Sequence, residues 1–301
     1  MKVLATRRYP GPAFDELGEV EIRPLAELDG ERPDVEALIV ANEPVPLELL
    51  PNLRIVANYS VGYDRIDVAA CTERGIVVTN TPGVLDAATA DLAFALLLAV
   101  RRRVVEGDRL VRSGGWSGSW AEGWLAEEVA GSTLGIVGLG RIGSAVARRA
   151  RGFDLRILYT QRTQVETDLA GFRPLDELLA EADLVTLHVP LTPETRGLID
   201  ARRLALLRDG ACLVNTARGE VVDEPALVAE LRSGRIRAGL DVFAHEPNVP
   251  PELLGLDNVV LTPHLGSATR QAREAMTRLV VDNLLAVARG EPPLTPVAPG
   301  R

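Results

Sequence analysis

Short β-branched runs alternate with longer helical patterns along nearly the whole chain, and this alternation is the strongest constraint on its fold. The candidate strands of the first third are KVLAT (2–6), ALIVA (37–41), RIVANYS (54–60) and IVVTN (76–80). Later come TLGIVG (133–138), LRILYT (155–160), DLVTLHV (183–189), ACLVNT (211–216), RAGLDV (237–242) and NVVLTP (258–263). Helical stretches such as GSAVARRARG and EPALVAELRSG separate most of them. Strands joined through helices read as βαβ units, so the pattern predicts an α/β chain built on parallel sheets. With 301 residues there is room for two domains, each with its own core. The stretch 89–114 reads as one long helix, nearly all apolar in its first half. A helix apolar all round must be buried, either between domains or against another subunit. The first domain crossing is expected near residue 96. The last helix, ATRQAREAMTRLVVDNLLAVARG, is expected to return to the first domain. The expected division is therefore 1–96 with 270–301, and 97–269. The tail, EPPLTPVAPGR, is expected to be loose.

The formal net charge is −9, which gives no broad electrostatic reason to seek nucleic acid or an anionic membrane. An anionic ligand must then be held by a few well-placed cations. Cys71 and Cys212, the only cysteines, lie far apart in sequence. No disulfide framework or zinc spacing is possible, no metal site is expected, and a reducing cytoplasm fits best. The start, MKVLATRRYPGPAF, lacks the long apolar core of a signal peptide. The most apolar stretch, DLAFALLLAV, is too short to span a bilayer.

The segment STLGIVGLGRIGSAVARRARGF carries Gly138, Gly140 and Gly143 between a strand and a helix. Glycines at this spacing are weak evidence alone, but the strand–turn–helix context gives each one a task. The first permits the tight turn, the second lets backbone approach a pyrophosphate, and the third lets helix and strand pack closely. The helix N-terminus, with Arg141 and Ile142, then offers N–H groups to the phosphates. The competing reading is a tight βα turn with no ligand. At the end of the next strand stand Gln161, Arg162 and Thr163. NAD-binding folds place an acid about 20 residues past the glycines, on the ribose 2′-OH. Here a neutral residue precedes a guanidinium, which can grip a 2′-phosphate in a bidentate fork. The turn is therefore expected to hold NADP, with NAD possible if Arg162 is only a solvated surface residue.

Three further segments place polar residues just past predicted strands: VNTARGEVVD, AGLDVFAHEP and LTPHLGSA. Ligands gather at the carboxyl ends of strands in open parallel sheets. Arg218, Glu246 and His264 would there supply a cation, a carboxylate and a titrating imidazole. Two other histidines compete. His188, on an apolar strand end, reads as packing or pocket lining, and His245, beside Glu246, is a rival acid.

The chain resembles the D-2-hydroxyacid dehydrogenase family, and within it the glyoxylate/hydroxypyruvate reductases. The motifs that carry this are NYSVGYD, TADLAFALLLA, GIVGLGRIG, ILYTQR, LVTLHVPLTPET, NTARGEVVD, GLDVFAHEP and NVVLTPHLGSAT. The resemblance covers most of the chain. It implies two Rossmann-like domains around a cleft: a flavodoxin-like substrate-binding domain and a dinucleotide-binding domain. By resemblance, Arg218 binds the substrate carboxylate and polarises the 2-oxo group, His264 is the general acid, and Glu246 hydrogen-bonds that histidine. The amides of Val61 and Gly62 match a substrate-carboxylate loop. Asp241 matches an aspartate on the nicotinamide carboxamide, and Thr216 and Gly266 complete the cofactor set.

Two departures bear on the substrate. Asn42 stands where similar reductases commonly carry a leucine, and the loop GWSGSWAEGWLAEEVAG is shorter than in many of them. In that subgroup a tryptophan of this loop reaches the partner subunit's active site, a part open here to Trp120 or Trp124. The resemblance thus implies an NADP-preferring reductase of small 2-oxo acids, a cytoplasmic homodimer without nucleic-acid or membrane partners. The alternatives are an NAD-dependent dehydrogenase of another substrate, such as 3-phosphoglycerate, and a non-catalytic dinucleotide sensor like the corepressors on this scaffold. A phosphite dehydrogenase is disfavoured because Val61 stands where those enzymes carry lysine.

Overall fold

The structure is a computed structural model describing residues 1–118 and 124–298. Its strands are β1 (Val3–Ala5), β2 (Val20–Ile22), β3 (Ala37–Val40), β4 (Ile55–Asn58), β5 (Val77–Thr79) and β6 (Thr133–Val137). They continue with β7 (Arg156–Thr160), β8 (Gly171–Phe172), β9 (Leu184–Leu187), β10 (Cys212–Asn215), β11 (Arg237–Leu240) and β12 (Val259–Leu261). The helices are α1 (Val68–Glu73), α2 (Asp86–Arg101), α3 (Val104–Arg112), α4 (Arg141–Ala150) and α5 (Leu175–Glu181). After them come α6 (Ala201–Leu204), α7 (Glu224–Arg232), α8 (Pro251–Leu254) and α9 (Arg270–Ala288). Every strand read from the sequence is present. The two that went unread, β2 and β8, are sheet edges of three and two residues. An edge strand buries little, so its hydrophobic signal is faint; Glu21, paired with Arg32, sits in the middle of β2.

The chain divides into two compact units, Met1–Asp86 with Ser267–Arg301, and Ala87–Gly266. Unit 1 is a parallel sheet in the order β2-β1-β3-β4-β5, which is flavodoxin-like. Its core includes Leu4, Leu38, Val56 and Val78, all buried. The tail is not loose as far as residue 298, and residues 299–301 lie outside the described residues. Leu294 and Thr295 donate their amides to Asn283 Oδ1, at 2.8 and 3.1 Å, and Val297 N–H donates to Val78 O of β5 at 2.8 Å. A proline-rich segment reads as loose because it lacks periodicity; here side-chain and strand-edge hydrogen bonds hold it.

Unit 2 is a parallel sheet in the order β12-β11-β10-β9-β6-β7-β8. Neighbouring residues of one strand enter opposite cores: Leu184, Cys212 and Val214 on one face, Val185 and Leu213 on the other. Burial on both faces explains why these strands read as continuous apolar runs. The strand order reverses at β6, between β9 and β7, and that reversal opens the usual ligand crevice.

The first crossing lies at residue 86 rather than near 96. From Ala87 onward α2 belongs to unit 2, because Ala90, Ala93, Phe94, Leu97 and Val100 pack with Leu134, Ile136 and Val214. A Cβ at Gly239 would lie 2.9 Å from Leu96 Cβ, so β11 has no side chain where α2 crosses it. The return crossing falls at residue 266 rather than 269. Nor is 89–114 one helix. It breaks at Arg103, whose φ is +54°, a left-handed conformation that ends α2 and starts α3. Arg103 holds this bend by pairing with Glu106 and by lying 4.8 Å over the Trp124 ring. No glycine or proline marks the break in sequence, because tertiary contacts make it.

Candidate active site

The glycine turn follows β6 at the reversal point. Gly138 has φ +96°, and a Cβ there would lie 2.6 Å from the His188 carbonyl oxygen. A Cβ at Gly143 would lie 2.0 Å from the Gly138 carbonyl oxygen, so α4 packs directly on the turn. Gly140 differs. It is exposed, and a Cβ there would meet open space. Folding therefore requires glycine at 138 and 143 but not at 140, where a missing side chain instead leaves backbone open to a ligand. Gly140 also caps α4 without any side-chain hydrogen bond, leaving the amides of the first turn, Arg141 to Gly143, to an anion.

At the end of β7, Gln161 is occupied by the fold. Its Oε1 accepts from Leu139 N–H at 3.2 Å, and its Nε2 donates to Thr163 O at 2.7 Å. The side chain thus ties the glycine turn to the next turn. Arg162 is exposed and makes no hydrogen bond or ion pair among the described residues. Glu194 lies within its field. The carboxyl of Glu194 is held below the usual range by hydrogen bonds with Thr192 and its own amide, and more weakly by the Arg162 charge.

Beyond β10, β11 and β12, at the same edge of the sheet, the three candidate residues meet. Asn215 closes the β10 exit: its Oδ1 accepts from Ala217 N–H at 3.0 Å, and its Nδ2 donates to Arg218 O at 2.8 Å. Arg218 is half-buried, with Nη1 on Ala217 O at 2.7 Å. A Cβ on the next residue, Gly219, would lie 2.0 Å from the Phe243 carbonyl carbon. The two exit loops can meet only because residue 219 is glycine. Glu246 Oε1 accepts from Phe243 N–H at 3.1 Å, and Oε2 meets His264 Nδ1 at 2.7 Å. Burial alone would raise the Glu246 carboxyl. The hydrogen bond and charge of His264, the Phe243 amide and the Arg218 charge outweigh it and hold the carboxyl below its usual range.

His264 has φ +54°, and its amide donates to Asp241 O at 2.9 Å. The Asp241 carboxylate is fully buried and already engaged by Thr262 Oγ1, Leu265 N–H and Gly266 N–H, at 2.6, 2.7 and 2.8 Å. Burial holds it above the usual carboxylate range despite those bonds. In this structure Asp241 and Gly266 shape the turn that carries His264. Thr216 is the opposite case: its Oγ1 is buried with no hydrogen-bond partner among the described residues. An orphaned hydroxyl beside Arg218 and an open cradle at Gly140 both fit a bound dinucleotide. His188 bonds Thr186 Oγ1 at 2.9 Å, and desolvation pulls it down to about 3, so it stays neutral. His245 is exposed and outside the Glu246 pair. Reading by sequence missed Asn215, Gly219 and Thr262, although an Asn at a strand end and a Gly after the arginine are turn signals.

Residues 94–266 match the model of the D-isomer specific 2-hydroxyacid dehydrogenase, NAD binding domain. The chain belongs to the D-isomer specific 2-hydroxyacid dehydrogenase family. It is 52% identical to a glyoxylate reductase of Pyrococcus furiosus, over 98% of this chain and 94% of that one. It is 56% identical to a glyoxylate reductase of Pyrococcus horikoshii, over 87% and 82%. Among solved structures, the NADPH-dependent glyoxylate/hydroxypyruvate reductase of Sinorhizobium meliloti, in complex with NADP and malonate, is 39% identical. It superposes with a TM-score of 0.90, over 99% of this chain and 96% of that one. A Thermus thermophilus protein is 47% identical with a TM-score of 0.92, over 99% and 100%. This 2-hydroxyacid dehydrogenase is thus an oxidoreductase whose unit 2 contains a nicotinamide-dinucleotide-binding domain. Among its described residues no helix is long and apolar enough to cross a membrane, and no His/Cys/Asp/Glu group could hold a metal ion.

Proposed function

We propose that this chain is an NADPH-preferring reductase of small 2-oxo acids, with glyoxylate and hydroxypyruvate as substrates. The observation that carries the chemistry is the 2.7 Å pairing of His264 Nδ1 with Glu246 Oε2, set beside Arg218. With Nδ1 donating to the carboxylate, the transferable proton of the imidazolium sits at Nε2. A bound reduced nicotinamide supplies the hydride. His264 delivers its proton to the carbonyl oxygen, Glu246 keeps the ring oriented, and Arg218 binds the carboxylate and polarises the 2-oxo group. Gly138, Gly140, Gly143, Arg141 and Ile142 hold the pyrophosphate, and Thr216 reaches the cofactor. In unit 1, the amides of Val61 and Gly62 bind a substrate carboxylate. The names of the glyoxylate reductases and of the NADPH-dependent structural neighbour support this reading.

The cofactor preference rests on Arg162, a cation with no hydrogen bond or ion pair among the described residues, which follows neutral Gln161 at the position where an acid would select NADH. Charge-assisted hydrogen bonds contribute about 1.5–3 kcal/mol each, or roughly 10- to 150-fold in affinity. Arg162→Ala should raise the KM for NADPH by that factor and leave the KM for NADH nearly unchanged. Gln161 is a poorer probe, because any change there also unties the glycine turn. The assay compares kcat/KM for both cofactors in wild type and variant. A wild type that prefers NADH, or a variant in which both cofactors lose equally, overturns the preference.

The proposal includes a homodimer built on the 89–113 region and the tryptophan loop. Val104, Val111, Trp116 and Leu125 there are exposed apolar side chains. Trp120 lies outside the described residues; Trp124 is packed on Arg103 of its own chain. Light scattering at micromolar protein should return twice the chain's 32.3 kDa, and a monomer mass would refute the dimer.

A further inference from the structure

In unit 1 the loop after β4 is held by its carbonyls. Ser60 O accepts from Thr81 N–H at 3.0 Å and from Asn58 Nδ2 at 3.3 Å. Val61 O accepts from Asn80 Nδ2 at 2.9 Å, and Gly62 O accepts from Asn58 Nδ2 at 2.8 Å. Asn58 is fully buried, and its remaining atom, Oδ1, accepts from Asn42 N–H at 2.8 Å. Asn80 is itself fixed by the tail: Thr295 Oγ1 donates to Asn80 O at 2.6 Å, and Asn80 N–H donates to Thr295 O at 3.3 Å.

In a trans peptide the N–H points opposite to the C=O of the same plane. Fixing the carbonyls of Ser60 and Val61 on the asparagine side therefore turns the amides of Val61 and Gly62 to the other side. Two adjacent amides aimed one way form an anion-binding edge. Nothing in an apolar core requires two asparagines here. A buried asparagine is tolerated only when its donors and acceptor are used, and Asn58 spends its own on this loop and on Asn42.

We propose that Asn58 and Asn80 are positioning residues, which set the Val61 and Gly62 amides to receive the carboxylate of the 2-oxo acid. This rests on the reading of those amides given under the proposed function. The residues touch no substrate themselves and act through the loop.

Asn58→Asp keeps the shape and the acceptor for Asn42 but places negative oxygen against the Ser60 and Gly62 carbonyls. Asn80→Ala removes the donor to Val61 at a half-buried site, where the fold tolerates truncation better. Both variants are assayed with glyoxylate and with glycolaldehyde, which has the aldehyde without the carboxylate, and NADPH affinity is titrated by fluorescence. The expected result is a rise of about 10-fold or more in the KM for glyoxylate. The Kd for NADPH and kcat/KM for glycolaldehyde should stay within about twofold of wild type. A purely structural role would lower both substrates and NADPH affinity together, and that result overturns the proposal. An unchanged glyoxylate KM in folded Asn80→Ala overturns it as well. A wild type that fails to reduce glyoxylate with either cofactor would instead sink the proposed function.

Discussion

Replacing His264 with Asn should lower turnover of a 2-oxo acid by about 10²–10⁴-fold, the usual contribution of general acid catalysis, and leave NADPH binding nearly intact. The two effects separate because of where the residue stands. Among the described residues the His264 ring pairs with Glu246 alone, whereas the turn that carries it is held by main chain: the His264 amide bonds Asp241 O, and the Leu265 and Gly266 amides bond the Asp241 carboxylate. Asparagine also tolerates the left-handed conformation at φ +54°, so the backbone need not move. The measurement is single-turnover reduction alongside a fluorescence titration of NADPH. Turnover near wild type would remove His264 as the acid and leave exposed His245 as the candidate. Glu246→Gln is the companion. Burial opposes ionisation of the Glu246 carboxyl, but the hydrogen bond and charge of its partner His264, with the Phe243 amide and the Arg218 charge, outweigh it. Loss of that carboxylate should lower kcat for the 2-oxo acid and leave NADPH affinity nearly intact, because no anionic acceptor then fixes Nδ1 and turns Nε2 to the carbonyl oxygen. A kcat unchanged from wild type would mean that the pair does not orient the acid.

The parts of this protein that could be read from residues are those encoded locally. Parallel strands buried on both faces leave apolar runs, so β3, β4, β6, β7 and β9 to β11 stood out, and the glycine turn was visible from its strand and helix neighbours. Arg218, Glu246 and His264 were legible as polar residues just past strand ends. What stayed hidden depends on contacts between distant segments. The break at Arg103 is held by Trp124 and the Leu125 carbonyl, the described tail by Asn283 and Val78, and the early crossing by the packing of α2 on Gly239. Asp241 was assigned from resemblance to a ligand contact, yet its oxygens are engaged by its own chain. Gln161 was read for the charge it lacks, whereas its amide is used to join two turns. A side chain's type can be read in sequence, but whether its hydrogen bonds are spent on the fold or left for a ligand cannot.

Gly219 carries the second large effect, because it decides whether Arg218 and Glu246 can work together. A Cβ at this position would lie 2.0, 2.2 and 2.4 Å from Phe243 C, Ala244 N and Phe243 O. All three are backbone atoms, so no rotamer change can make room. The exit loops of β10 and β11 must separate, and overpacking of this kind costs about 1–3 kcal/mol of stability. The displacement falls on the residue next to Arg218 and on the loop whose Phe243 amide holds Glu246. The cation and the carboxylate are thereby moved out of register with His264, and removal of one well-aimed hydrogen-bond donor typically costs about 10²–10³-fold in rate. Gly219→Ala should therefore lower kcat/KM for glyoxylate by that factor. Its NADPH affinity should change little, because the glycine turn belongs to β6 and α4. Gly152→Ala is the control, since a Cβ there meets nothing within 4 Å, and it should behave as wild type. If folded Gly219→Ala reduces glyoxylate at the wild-type rate, close apposition of the two loops is not what aligns Arg218 with the His264–Glu246 pair.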